Sequence, residues 1–66
     1  MFAESETADE IPIEQRQVIF KALVEAQDSG LGPPASRAAV AKQFTVTENQ
    51  VKKIEREGSD NQWPPL

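Results

Sequence analysis

The chain of 66 residues contains no cysteine and no histidine. The first absence excludes disulfide bonds, and the two together remove the commonest protein ligands of transition metals. They also exclude a nucleophile and base pair built on either residue, and the sequence has no glycine-rich phosphate loop. Its carboxylates are scattered rather than set in an apolar pocket. We therefore expect no catalytic activity and no bound metal or cofactor.

Long hydrophobic runs are also absent. No apolar stretch approaches the roughly 18 residues that a membrane-spanning helix needs. Met1 is followed by the acidic segment FAESETADE rather than by the basic start of a signal peptide. We expect a soluble, cytoplasmic protein without membrane contact. Its length allows one small domain with a limited core.

Positive charge is scarce overall but concentrated in one region. Residues 1–35 carry seven acids and two bases, a net charge of −5, whereas residues 36–56 carry five bases and two acids, a net charge of +3. The last ten residues add two acids, which gives the total of −4. If the basic region binds a polyanion, the acidic flank should make binding weak and sensitive to salt. Useful affinity would then require a dimer or a larger assembly.

Apolar side chains recur at helical spacing within this basic region. They form two stripes, at Val40, Ala41 and Phe44 and at Val51 and Ile54. Val46 lies between the stripes, and Thr47 with Gln50 matches a capping box, so a helix should begin at about Glu48. The small side chain of Ala41 suits the close crossing of another helix. This arrangement is typical of a helix-turn-helix, whose second helix docks in the DNA major groove.

The remaining boundaries follow from proline, glycine and capping residues. A first helix should run from Pro12 to about Asp28, because glycine and proline in residues 29–34 end it. Ser36 should cap a second helix that ends at about Gln43, and the third should end near Gly58. We therefore predict an all-α, three-helix bundle with a helix-turn-helix.

The expected organisation is a disordered acidic arm at residues 1–10, a three-helix domain at 11–58 and an extended tail at 59–66 that packs on the helices. The arm is either a solvated tail or an acidic segment that shields the basic face or repels wrong partners electrostatically. In the tail, Trp63 and Leu66 either pack back on the helices or present a proline-rich peptide to a partner. The same tail, or a second copy of the chain, should cover the apolar side of the first helix that includes Val18.

A family resemblance is carried by VAKQFTVT at residues 40–47 and VKKIE at residues 51–55. These segments resemble the end of region four of bacterial primary sigma factors, a helix-turn-helix that reads the upstream promoter element. The likeness covers about 20 of 66 residues. It implies a role in transcription, for a stand-alone relative or a piece of a longer protein.

The chain departs from that family on the surface that would contact bases. Where the family has arginine, glutamate and arginine after the capping threonine, this chain has Glu48, Asn49 and Gln50. Thr45 occupies a turn position that often carries glycine, so a left-handed backbone there would cost more. The resemblance therefore supports the fold more than a particular promoter sequence.

Helical geometry assigns candidate DNA contacts. The expected base contacts are the outward residues of the third helix, Glu48, Asn49, Lys52, Lys53 and Arg56. The expected phosphate contacts are Ser36, Arg37, Lys42 and Thr47. The alternative for the lysines and Arg56 is a solvated helix surface with one ion pair, Lys53 with Glu57.

Two function classes remain open at this stage. One is a small transcription-related domain that binds double-stranded DNA through its third helix, at about residues 48–57. The other is a helical protein interaction module that docks on transcription machinery or forms a homodimer.

Overall fold

A computed structural model describes residues 10–66, which form three α-helices. Helix α1 spans Ile13–Asp28, α2 spans Pro33–Phe44 and α3 spans Glu48–Asn61. Each helix contacts the other two, and no β-strand occurs among these residues. The prediction of an all-α three-helix bundle is confirmed for this part of the chain.

The core lies where the three helices meet. The two predicted stripes, the middle of α1 and the tail residue Trp63 supply it. The buried apolar side chains are Ile19, Phe20, Leu23, Val40, Ala41, Val51, Ile54 and Trp63. Phe44 and Val46 are partly buried against this cluster. The core therefore fixes α3 against both other helices along one face and leaves its opposite face outward.

Helix α2 begins earlier than expected, and the assignment of Ser36 as its N-cap is wrong. Gly32 is the N-cap residue, and Pro33 and Pro34 occupy the first two helical positions. Proline suits this place because its missing N–H would have no helical partner and its φ is already helical. Ser36 lies inside the helix and is fully buried, and its hydroxyl donates to the Pro33 carbonyl oxygen at 2.9 Å.

Helix α3 ends at Asn61, three residues beyond the expected stop at Gly58. Gln62 adopts the left-handed conformation, with φ 52° and ψ 47°. The Trp63 N–H donates to the Gly58 carbonyl at 2.9 Å, and the Gln62 N–H donates to that of Ser59 at 3.3 Å. These two bonds form a Schellman motif, which turns the chain back towards the bundle.

The tail behaves as expected at Trp63 but not at Leu66. Trp63 is 8% exposed, and its ring meets Phe20 edge to face, with the centroids 6.1 Å apart. Leu66 is 63% exposed, so the expectation that it packs on the helices is wrong. Val18 also remains exposed, at the side of a shallow groove that Pro64 borders.

The predicted acidic arm at residues 1–10 lies outside the residues that the structure describes, except for Glu10. Within residues 10–66, no helix is long and apolar enough to cross a membrane.

Candidate nucleic-acid interface

The start of α3 is held by the predicted capping box. The Gln50 N–H donates to Thr47 Oγ1 at 3.0 Å, and the Thr47 N–H donates to Gln50 Oε1 at 2.9 Å. The two side chains thus satisfy backbone groups that the first turn of a helix leaves open. The capping box fixes the position of Glu48 and Asn49, the first two residues of the exposed face.

A turn of three residues, 45–47, separates α2 from α3. Thr45 adopts the left-handed conformation, with φ 58° and ψ 47°. We expected this conformation to cost more free energy for threonine than for glycine. The Val46 N–H donates to the Ala41 carbonyl at 2.9 Å, and the Val46 side chain packs against the core. The turn therefore fixes how α3 leaves α2, at the expense of backbone strain at Thr45.

The outward face of α3 carries every residue proposed for base contact. All five are exposed, namely Glu48, Asn49, Lys52, Lys53 and Arg56. Among the described residues, Lys52, Lys53 and Arg56 take part in no ion pair. Their positive charges are therefore presented to solvent, on the side of α3 opposite Val51 and Ile54.

The acids in the middle of α3 are directed towards the other helices. Glu55 Oε1 lies 2.9 Å from Arg37 Nε, and Glu57 Oε1 lies 3.0 Å from Arg16 Nε. Glu57 thus pairs with α1 and not with Lys53, so the alternative of a local Lys53–Glu57 ion pair is wrong. The two pairs leave three basic residues on the outward face, with the exposed acids Glu48 at its start and Asp60 near its end, so the face remains positive.

The proposed phosphate contacts differ in accessibility. Lys42 and Thr47 are exposed, and the Arg37 side chain is 26% exposed beside Glu55. Ser36 is 0% exposed, and its hydroxyl oxygen accepts a hydrogen bond from Gln27 Nε2 at 3.2 Å. The Ser36 side chain is therefore absent from the surface that a phosphate could reach, and it does not belong to the candidate interface.

Gln27 and Glu55 are the participants that the sequence did not reveal. Gln27 Nε2 also donates to Glu55 Oε2, at 3.3 Å, so one amide links α1 to both of the other helices. No periodicity indicates such a contact, because the partners are 28 residues apart.

Comparisons with known proteins add no relative. No protein-family model matches the chain, and neither the curated proteins nor the solved structures searched contain a match. The resemblance to region four of sigma factors therefore depends on the residues quoted for it. Any function has to be argued from the geometry of the surface.

Proposed function

We propose that the chain is a small, transcription-related helix-turn-helix domain that binds double-stranded DNA with α3 in the major groove. One observation carries this proposal, which is the separation of charge on α3. The central acidic residues of α3 pair with arginines of α1 and α2, whereas its three basic side chains are exposed to solvent. A helix face of this kind suits a groove flanked by phosphates.

The exposed side chains also match the chemistry of base edges. Asn49 can make two hydrogen bonds to adenine, and Lys52 or Lys53 can donate to guanine. Glu48, at the start of the helix, can accept from the amino group of cytosine. Lys42 and Thr47 on the neighbouring surface would contact phosphates and set the position of α3 along the duplex.

The acidic remainder of the chain limits affinity without cancelling the local face. The net charge of −4 repels DNA at long range, but salt screens such interactions beyond about 8 Å at physiological ionic strength. Contacts between the lysine and arginine side chains of α3 and DNA phosphates are shorter than this screening distance. We therefore expect weak binding by one copy and a steep dependence on salt.

A second candidate function has its own observation. Ile13 and Val18 on α1 are 47% and 54% exposed, and Leu66 is 63% exposed. Apolar side chains at a surface can contribute to a protein interface, including one between two copies of the chain. These apolar residues are few, so we favour the DNA-binding proposal.

The deciding experiment is fluorescence anisotropy of a labelled random duplex titrated with the chain, at about 50 and about 200 mM salt. We expect salt-sensitive binding that Lys52→Ala and Lys53→Ala each weaken, and that the two combined weaken several-fold. Lys21→Ala removes one charge and is the matched control for each single variant, because Lys21 is an exposed lysine on α1 and lies outside the proposed interface. Its affinity should equal that of the unaltered chain.

Two results would count against DNA binding. One is the absence of binding at low salt with high micromolar protein. The other is an equal loss of affinity from Lys21→Ala and from the α3 variants, which would indicate general charge attraction. Either result would favour the interaction module, which sedimentation equilibrium would then test for self-association.

A further inference from the structure

The bundle contains two arginine–glutamate pairs that differ in how they use the guanidinium group. Arg16 is held within the fold, since its Nη2 donates to Glu57 Oε2 at 3.2 Å and its Nε lies 3.0 Å from Glu57 Oε1. Its Nη1 donates to the Ile11 carbonyl oxygen, and the side chain is only 13% exposed. This pair is a structural clamp between α1 and α3.

Arg37 is attached at one atom only. Its Nε donates to Glu55 Oε1 at 2.9 Å, while the other carboxylate oxygen, Oε2, accepts from Gln27. Within residues 10–66, the two Nη groups of Arg37 make no hydrogen bond, and the side chain is twice as exposed as that of Arg16. The donor end of the guanidinium is therefore oriented and available to a ligand.

We propose that Arg37 binds a backbone phosphate of nucleic acid and that Glu55 is its positioning residue. This inference depends on the proposed function and adds Arg37 to the part of the interface that α2 contributes. Glu55 follows Lys52 by three positions on α3, which places their side chains about 5–6 Å apart at Cβ. Arg37 thus lies at the edge of the basic face.

The physical advantage is preorganisation. A free arginine loses much rotamer entropy when it binds, whereas the bond from Nε to Glu55 fixes the guanidinium plane beforehand. The Nη donors can then approach two oxygens of one phosphate. Gln27 keeps Glu55 in place by its bond to Oε2, so the arrangement is supported from α1.

Positioning and simple charge predict opposite effects at Glu55. If this carboxylate only repels phosphates, Glu55→Ala should raise the affinity for duplex DNA. If it positions Arg37, Glu55→Ala should fail to raise the affinity, and Arg37→Ala should cost much less in that background than alone. A double-mutant cycle on DNA affinity measures this coupling.

The experiment uses the full chain and the random duplex at several salt concentrations. We expect Arg37→Ala to weaken binding several-fold and to reduce the slope of log affinity against log salt by about one. Arg37→Lys keeps the charge but loses the Nε anchor, so it should also bind several-fold more weakly. Arg16→Lys is the matched control and should leave the affinity of the folded chain unchanged. Circular dichroism confirms that each variant is folded.

The outcomes separate this inference from the proposed function. Normal affinity for Arg37→Lys, or additive effects with a gain for Glu55→Ala, overturns the role of Arg37 and Glu55. If the Lys52 and Lys53 variants weaken binding in the same assay, the proposed function stands without it. A chain that binds no duplex overturns both.

Discussion

Gly58 is the position where one methyl group should test the packing of the bundle. It is buried in α3 against the ring of Phe20, which is itself 2% exposed. A Cβ atom built on Gly58 would lie 2.5 Å from Phe20 Cε1 and 2.6 Å from Cγ. Ordinary carbon contacts are about 3.5–4.0 Å, so Gly58→Ala requires the ring to move by about 1 Å.

Two opposing effects set the magnitude. Alanine is favoured over glycine inside a helix by about 1 kcal/mol, while overpacking a core costs about 1–3 kcal/mol. The upper end of that range applies, because Trp63 packs against the same ring and obstructs its movement. We expect a net loss of about 2 kcal/mol in the free energy of unfolding. For a domain this small, that lowers the Tm by about 8–16 °C.

The assay is urea unfolding followed by circular dichroism. Ser59→Ala is the control, because Ser59 is the exposed neighbour in α3 and its replacement should change stability by less than about 0.5 kcal/mol. In a Phe20→Leu background, Gly58→Ala should cost clearly less, since the smaller side chain leaves room for the methyl group. A single Gly58→Ala variant as stable as the unaltered chain, or more stable, would refute the packing argument.

The other predictions concern the two residues that frame the turn between α2 and α3. Thr45→Gly should stabilise the chain by about 0.5–1 kcal/mol, because it removes left-handed strain of about 1–2 kcal/mol and adds a smaller entropic cost. An unchanged or lower urea midpoint would contradict that account. Thr47→Ala should destabilise by about 1 kcal/mol through loss of the capping box. Thr47→Ser keeps the hydroxyl and should retain most of the stability in thermal unfolding.

Helix boundaries could be predicted where one local signal dominated. The end of α1 and the start of α3 follow from Gly30 and from the Thr47 capping box, and both match the structure. Pro33 is compatible with two structural roles, because proline can end one helix and also suits the first turn of the next. The prediction of a break at Pro33 is wrong, because Pro33 is the first residue of α2. Burial of Ser36 beneath Gln27 distinguishes the two, and that contact is tertiary.

The extent of α3 illustrates the same limit in another form. Glycine near the end of a helix usually indicates its last turn, so Gly58 predicted an early stop. In the structure α3 packs so closely on Phe20 at Gly58 that a Cβ atom there would clash with the ring, and the helix continues to Asn61. Local helix propensity therefore indicates that glycine has a specific structural role at position 58. It predicts the end of the helix there, whereas the structure shows close packing on Phe20.

The exposed face of α3 could be predicted because it depends on one periodicity. Val51 and Ile54 define the buried side, and this places Lys52, Lys53 and Arg56 outward, as the structure has them. Their contact with DNA stays a prediction. The long-range partners could not be predicted, because Glu57 lies 41 residues from Arg16 and nothing local selects that pairing over Lys53.

These long-range ion pairs determine which charged side chains remain exposed on the surface. The net +3 of residues 36–56 was counted from five bases and two acids. In the fold, the charges of Arg37 and Glu55 cancel. Residues 36–56 then retain four basic residues and one acidic residue, Glu48, so their net charge is still +3 but fewer side chains contribute to it. Glu57, counted with the acidic tail, is neutralised by Arg16. The basic character of this surface therefore depends on tertiary pairing, and substitutions that remove the positive charge of Arg37 or Arg16 should weaken it as the loss of a lysine does.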